Sequence, residues 1–299
     1  MKTLKILLLL ISFYSFTEIY TADKPVPDSS NAKYGVYEKN NYDLWLAKSS
    51  NPTPVVIYFH GGSFSSGDKE KISEGIITNS LEKGISVVSA NYRLTPEVIY
   101  PQHYKDCARM IQYLRYNAAK LNIDPDRIAI YGSSAGACTA LWIGFHDDMA
   151  DLKNEDPVLR MSTRVNSIGM FSGQSTLEPD VIREIISELA LTNSMFYGKI
   201  FGLKKDELLT PRAKELYKEA SPVTHLTKDD PPVWTYYSVP KEEPKTVSDA
   251  IHHYNFGVYL KKKMDALNIE CILRSKEEVA SANKDFIEFL CRHFDIKTK

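Results

Sequence analysis

The chain has 299 residues, of which 43% are hydrophobic, 11% aromatic and 25% charged, and its 37 Lys+Arg against 38 Asp+Glu leave a net charge of −1. These proportions exclude wholesale disorder and collagen-like or mucin-like chains. With no basic excess to neutralise a phosphate backbone, they argue against a nucleic-acid partner, and the length allows one large α/β domain or two small ones, either with a real core.

The first 22 residues read as a signal peptide. Lys2 and Lys5 form a basic start, Ile6 to Phe16 is an apolar run, and Thr21-Ala22 precedes the polar stretch Asp23 to Pro27. Residues 23–299 are then a single mature domain, secreted or periplasmic. The apolar run is too short for a comfortable membrane span, so no stable span is expected after cleavage. Cys107, Cys138, Cys271 and Cys291 sit in apolar-periodic patterns without a C-x-x-C pair. They read as buried free thiols rather than a zinc site, with a Cys271–Cys291 bridge left open.

In chain order, 34–48 reads as an N-terminal strand pair. Strands are expected over 54–60, 85–92, 127–131, 165–171, 233–237 and 270–273. Helices are expected over 69–83, 102–121, 135–145, 255–267 and 281–294. Such alternation specifies a mostly parallel sheet with helices on both faces, because parallel strands need crossovers. Two stretches break the rhythm. Residues 175–227 carry helical patterns and no convincing strand, so they read as a helical lid insertion. Residues 238–251 read as a polar loop.

Three segments carry the chemistry. Gly132-Ser133-Ser134-Ala135-Gly136 matches G-x-S-x-G between an expected strand and an expected helix. A sharp strand-to-helix turn requires small residues on both sides and places the Ser134 hydroxyl at a helix N-terminus. His60-Gly61-Gly62-Ser63-Phe64 follows another strand. Paired glycines there let backbone N–H groups face a cleft, and Gly61, Gly62 and Ala135 become candidates for an oxyanion hole. Ser89 to Glu97, containing Asn91-Tyr92-Arg93-Leu94, closes a strand and opens a Pro-bounded loop.

In order and content, HGG, NYRLTPE, a helix bearing Asp106-Cys107, and GSSAG resemble the α/β-hydrolase superfamily. The resemblance is to its esterase and lipase branch, related to hormone-sensitive lipase and including feruloyl- and acetylxylan-esterase-like proteins. Ser221-Pro222-Val223-Thr224-His225 leading to Asp230-Pro231-Pro232-Val233 resembles the segment before that branch's acid-bearing strand. The likeness covers roughly residues 50–295. It implies an eight-stranded, mainly parallel sheet, a serine-hydrolase triad and a lid.

The pattern breaks at the base and the acid. A serine needs a base to take its proton. The branch supplies a histidine after the last strand, but residues 274–281 contain none. His293 reads as a helix-surface or helix-end residue, His60 as a loop-ordering residue and His103 as a helix-surface one. The adjacent pair His252-His253 provides the candidate bases, since loops at strand carboxyl ends line the ligand site in open α/β sheets. Glu242, Glu243 or Asp249 are the candidate acids, with Glu243 and Asp249 preferred. No dinucleotide glycine pattern, P-loop or metal-ligand spacing is present, so no cofactor or metal is expected.

The sequence therefore reads as a secreted serine hydrolase acting on carboxylic esters through an acyl-enzyme on Ser134. Its partner would be a small-molecule or oligosaccharide ester, plausibly an acylated polysaccharide fragment. The alternative is a catalytically impaired binding protein on the same fold, because the usual histidine loop is empty. A peptidase of similar architecture is a weaker third, lacking an N-terminal propeller.

Overall fold

The computed structural model describes residues 24–192, 198–239 and 241–297. The expected signal peptide, 1–22, lies outside them. Eight strands form one sheet: β1 (Ser29–Lys33), β2 (Asn41–Trp45), β3 (Thr53–Phe59), β4 (Ser86–Ala90), β5 (Ile123–Ser133), β6 (Ser167–Phe171), β7 (Val233–Tyr237) and β8 (Cys271–Ser275). Their order is β1-β2-β4-β3-β5-β6-β7-β8. β2 runs antiparallel to β1 and β4, and all other pairs are parallel. The chain has the α/β-hydrolase fold.

Every residue of β3 is buried. That is the mark of a parallel strand covered on both faces, and its side chains divide by the two-residue period. Val55, Ile57 and Phe59 join one core cluster, and Val56 and Tyr58 join the other. The first core is closed by α2 (Gln102–Tyr116), α4 (Ala135–Phe145) and α8 (Asn255–Asp265). The second is closed by α1 (Glu74–Glu82) and α9 (Ala282–His293). The outer helices bury an apolar stripe, such as Phe256, Leu260 and Met264 on α8. α4 has no polar face, and all eleven of its residues are buried. α3 (Ala118–Leu121) follows α2 and ends at Asn122, whose φ of 53° breaks the helix.

Most expected elements appear within a few residues. The N-terminal pair is shifted: β1 and β2 flank a turn at 34–40, where one strand was expected to begin. The helix expected over 69–83 is a short 3₁₀ turn at Lys69–Lys71 followed by α1. All four cysteines are buried and free, so no Cys271–Cys291 bridge forms.

Residues 175–227 hold α5 (Pro179–Ile185), α6 (Pro211–Glu219) and 3₁₀ turns, with no strand among the described residues. This segment is fastened to the scaffold. Asn255 Nδ2 donates to the Ile185 carbonyl at 2.7 Å, and Tyr100 N–H donates to the Ile200 carbonyl at 2.6 Å. The stretch read as a loop before Ile251 contains a further helix, α7 (Val247–Ile251).

Candidate active site

The central strand β5 delivers Ser134 directly to the N-terminus of α4. Ser134 sits at φ 51° and ψ −118°, a conformation few non-glycine residues adopt. Holding such a residue costs of order 1–3 kcal/mol, so the surroundings must over-determine it. They do so by close packing. A Cβ on Gly132 would collide with the Gly136 backbone, and one on Gly136 would collide with the Phe59 carbonyl. Ser134 N–H is also committed, donating to the Phe171 carbonyl at 2.9 Å. Both glycines of G-x-S-x-G are thus required by neighbouring backbone.

His60-Gly61-Gly62 leaves β3 beside this turn. A Cβ on Gly61 would press on the Ser133 carbonyl at 2.8 Å, and Gly62 has a φ of 118°. The loop is held from behind. His60 stacks on Tyr92 with ring centroids 4.4 Å apart, and the Tyr92 hydroxyl donates to the His60 carbonyl at 2.6 Å. His60 Nδ1 lies 2.8 Å from the Gly61 carbonyl, to which it can only donate. Burial lowers the His60 pKa, so it orders the loop as a neutral ring. Arg93 makes a bidentate pair with buried Asp106, at 2.8 Å from Nε and 2.6 Å from Nη2. Asn40 Nδ2 adds a 3.0 Å bond to the same carboxylate. The NYR segment therefore fastens the glycine loop to α2.

His252 caps the C-terminal end of α7. Its Nε2 lies 2.9 Å from Ser134 Oγ, and its Nδ1 lies 3.0 Å from the Ser248 carbonyl. A carbonyl only accepts, so Nδ1 carries the proton and Nε2 offers its lone pair to the serine hydroxyl. Burial pulls the His252 pKa below its ordinary value, opposed by the Ser248 carbonyl and the nearby charge of Asp249.

The second histidine of the pair faces elsewhere. His253 is buried, its Nε2 is 2.9 Å from the Glu242 carbonyl, and its Nδ1 accepts from Asn255 N–H at 3.2 Å. It buttresses the α7–α8 corner and does not reach Ser134. Neither preferred acid is placed on the imidazole. The Asp249 carboxylate accepts from Thr246 N–H at 3.0 Å while Thr246 Oγ1 accepts from Asp249 N–H at 3.1 Å. This reciprocal cap occupies Asp249 at the start of α7. Glu242, Glu243 and Asp249 line a separate small cleft of about 260 Å³.

Two supports went unread. One is the Ser248 carbonyl. The other is Gln174, a buried residue after β6 whose Nε2 donates to the Ile251 carbonyl at 2.5 Å, one residue before His252. Thr246-Val247-Ser248-Asp249 does carry the [ST]-x-x-[DE] signature of a helix start. It would have marked α7 and identified Asp249 as a capping residue.

His103 corrects another expectation: it is 1% exposed, with Nε2 3.1 Å from Thr95 Oγ1. His293 lies at the end of α9, 3.0 Å from Glu270. One side-chain cluster lies away from these residues. His146, distant in sequence from Glu219 and His225, brings its ligand atom within 4.8 Å of theirs.

The BD-FAE family model matches residues 42–238. The chain belongs to the BD-FAE family. Its match includes Gly61, Gly62 and Ser134 and stops short of His252. Among curated relatives, the probable carboxylic ester hydrolase LipM of Mycobacterium tuberculosis is 27% identical over 215 residues, covering 68% of this chain and 46% of LipM. Esterase LipQ of the same organism is 26% identical over 277 residues, covering 87% of this chain and 62% of LipQ. The chain thus spans less than two thirds of either relative. Among solved structures, an acetyl ester-xyloside bifunctional hydrolase from Caldicellulosiruptor lactoaceticus superposes with a TM-score of 0.64 at 23% identity, covering 85% of this chain and 88% of that one.

Proposed function

We propose that this protein is an exported serine esterase that hydrolyses carboxylic esters through an acyl-enzyme on Ser134. The observation that carries the reading is the 2.9 Å approach of His252 Nε2 to Ser134 Oγ. Nucleophile and base within hydrogen-bond reach, with the base oriented by a third group, are what acyl transfer from serine requires.

In the first half-reaction, Ser134 Oγ attacks the ester carbonyl carbon as its proton passes to His252 Nε2. The carbonyl oxygen becomes an oxyanion, facing the N–H groups of Gly61, Gly62 and Ala135. Ala135 is the first residue of α4, so its N–H is one of the helix's unpaired donors. His252 then gives the proton to the departing alkoxide. Water repeats the sequence on the acyl-enzyme and releases the acid. The Ser248 carbonyl holds the imidazole tautomer and carries its partial negative charge toward the imidazolium. The helical segment 175–227 acts as a lid.

The substrate class, acetylated or otherwise acylated sugar fragments, is supported by the likeness to the acetyl ester-xyloside hydrolase and by the expected signal peptide. The impaired-binding-protein alternative rested on the histidine-free loop after β8, and an imidazole arriving from α7 favours the esterase instead. The test is hydrolysis of p-nitrophenyl acetate and of acetylated xylo-oligosaccharides by wild type and Ser134→Ala. Turnover by the wild type and none by the variant is expected. Equal rates for the two would sink the reading. Activity on the aryl ester alone would remove the sugar assignment and keep the esterase.

A further inference from the structure

We propose that His146, Glu219 and His225 form a divalent-metal site of the zinc class, joining the segment after α6 to the far end of the helix that starts at Ser134. The inference is independent of the esterase reading. Ser134 is twelve residues from His146, roughly 18 Å along a helix rising 1.5 Å per residue, so the proposed chemistry uses none of the three.

Three separate elements bring the ligands together. His146 caps the C-terminus of α4, Glu219 is the last residue of α6, and His225 caps the 3₁₀ turn Pro222–Thr224. His146 Nε2 lies 4.0 Å from Glu219 Oε1, and His225 Nε2 lies 3.8 Å from the same oxygen. Zinc bonds of about 2.0–2.1 Å in a tetrahedral set place ligand atoms roughly 3.3 Å apart, so the two gaps to Glu219 close by about 0.5–0.7 Å and the two imidazoles, whose ligand atoms lie within 4.8 Å of one another, draw together as well. The Glu219 side chain is half exposed and supplies its share of that movement, and the His225 ring supplies the rest.

The surroundings order His146 and Glu219 for a metal, and His225 must rearrange. His146 Nδ1 lies 3.1 Å from the Asp147 carbonyl and must donate to it, which leaves Nε2 as the lone-pair nitrogen facing the cluster. The Glu219 backbone is fixed by two donors on its carbonyl: Trp142 Nε1 at 2.9 Å and His225 Nε2 at 2.6 Å. In the neutral ring that second bond leaves the His225 lone pair on Nδ1, so metal entry requires this ring to turn and give up that bond, leaving Trp142 Nε1 to hold the Glu219 carbonyl. The Trp142 ring packs on both imidazoles, with centroids 4.4 Å from His146 and 5.7 Å from His225.

Two imidazoles and one carboxylate select zinc or a neighbouring transition ion over calcium or magnesium, which favour all-oxygen sets. His146 and Glu219 also line a cleft of about 730 Å³ that touches neither Ser134 nor His252. A fourth coordination position would open toward it and hold water or a small ligand.

The experiment uses untagged mature protein freed of metal by chelator dialysis and titrated with Zn²⁺ by calorimetry. Thermal unfolding with and without Zn²⁺, and the visible spectrum of the Co²⁺ form, accompany it. One Zn²⁺ per chain at micromolar or tighter affinity is expected, with a raised Tm. His146→Ala and His225→Ala should each weaken binding at least tenfold, and His293→Ala, at a different His–Glu pair, should not. Should either alanine variant fail to fold, Glu219→Gln tests the same site through a half-exposed side chain. No saturable binding, or binding that survives both histidine replacements or Glu219→Gln at full strength, would overturn the proposal.

Discussion

His252 presents Nε2 to Ser134 at 2.9 Å while its Nδ1 lies 3.0 Å from the Ser248 carbonyl, so a peptide dipole stands where a serine-hydrolase triad places a carboxylate. A carbonyl fixes the tautomer as well as an acid does. It stabilises the imidazolium less, because it carries a partial rather than a full charge. Asp249 supplies charge nearby without touching the ring.

The consequence is an uneven set of variants. On the proposed mechanism, Ser134→Ala and His252→Ala should each lower kcat by about 10⁴–10⁶-fold, because nucleophile and base would act as a unit. Asp249→Asn should cost less than ~10-fold, where removing a true triad acid costs about 10⁴-fold. Steady-state kinetics on p-nitrophenyl acetate checks this. A loss of 10³-fold or more in Asp249→Asn, with an unchanged circular dichroism spectrum, would show that the carboxylate swings onto His252 during turnover.

The acid limb of the rate profile follows from the same ring. His252 must be neutral to accept the Ser134 proton, and burial lowers its pKa from the ordinary imidazole value near 6.5. The profile of kcat/KM against pH should therefore fall off on the acid side with a midpoint below 6.5. Asp249→Asn removes a charge that favours the imidazolium, so its midpoint should lie lower still. A midpoint above 7 would contradict the buried environment of the ring.

Gln174 positions this machinery without touching it. Its side chain is buried and donates to the Ile251 carbonyl at 2.5 Å, immediately before His252. Gln174→Leu leaves that carbonyl buried without this donor, a cost of about 1–3 kcal/mol. Because the defect falls on the aim of the base, kcat should drop by roughly 10–100-fold with KM little changed. A purely structural role would lower Tm and leave both constants alone at temperatures well below it.

The scaffold was legible because its signals are local and strict. The run of β3, the strand before Gly132 and the helix after Ser134 are continuous, mostly apolar segments bounded by glycine turns. Gly132 and Gly136 are required by close backbone contacts that only glycine permits. The base was half legible. An adjacent His-His pair is visible, but which ring faces Ser134 depends on a five-residue helix ending at His252. The polar character of residues 238–251 concealed that helix. The orienting group could not be read from side-chain identity, since it is a backbone carbonyl. The His146–Glu219–His225 cluster was hidden for a different reason: tertiary packing alone brings His146 to the Glu219–His225 pair.

His103 offers a separate test of the packing around α2. It is packed against Phe64 with ring centroids 5.3 Å apart, and burial pushes its pKa down to about 4, with Asp106 opposing and Arg93 assisting. The unfolded chain binds a proton at about 6.5, and the folded chain does not until about 4, so acid favours the unfolded state over that interval. The stabilisation from keeping His103 neutral is complete above pH 6.5 and is lost as pH falls toward about 4. Its full size is about 3 kcal/mol. His103→Gln keeps a polar partner for Thr95 but cannot titrate. Urea midpoints at pH 7 and pH 4.5 should therefore converge between wild type and variant as the pH is lowered, while an unchanging difference would mean that His103 titrates like an exposed imidazole.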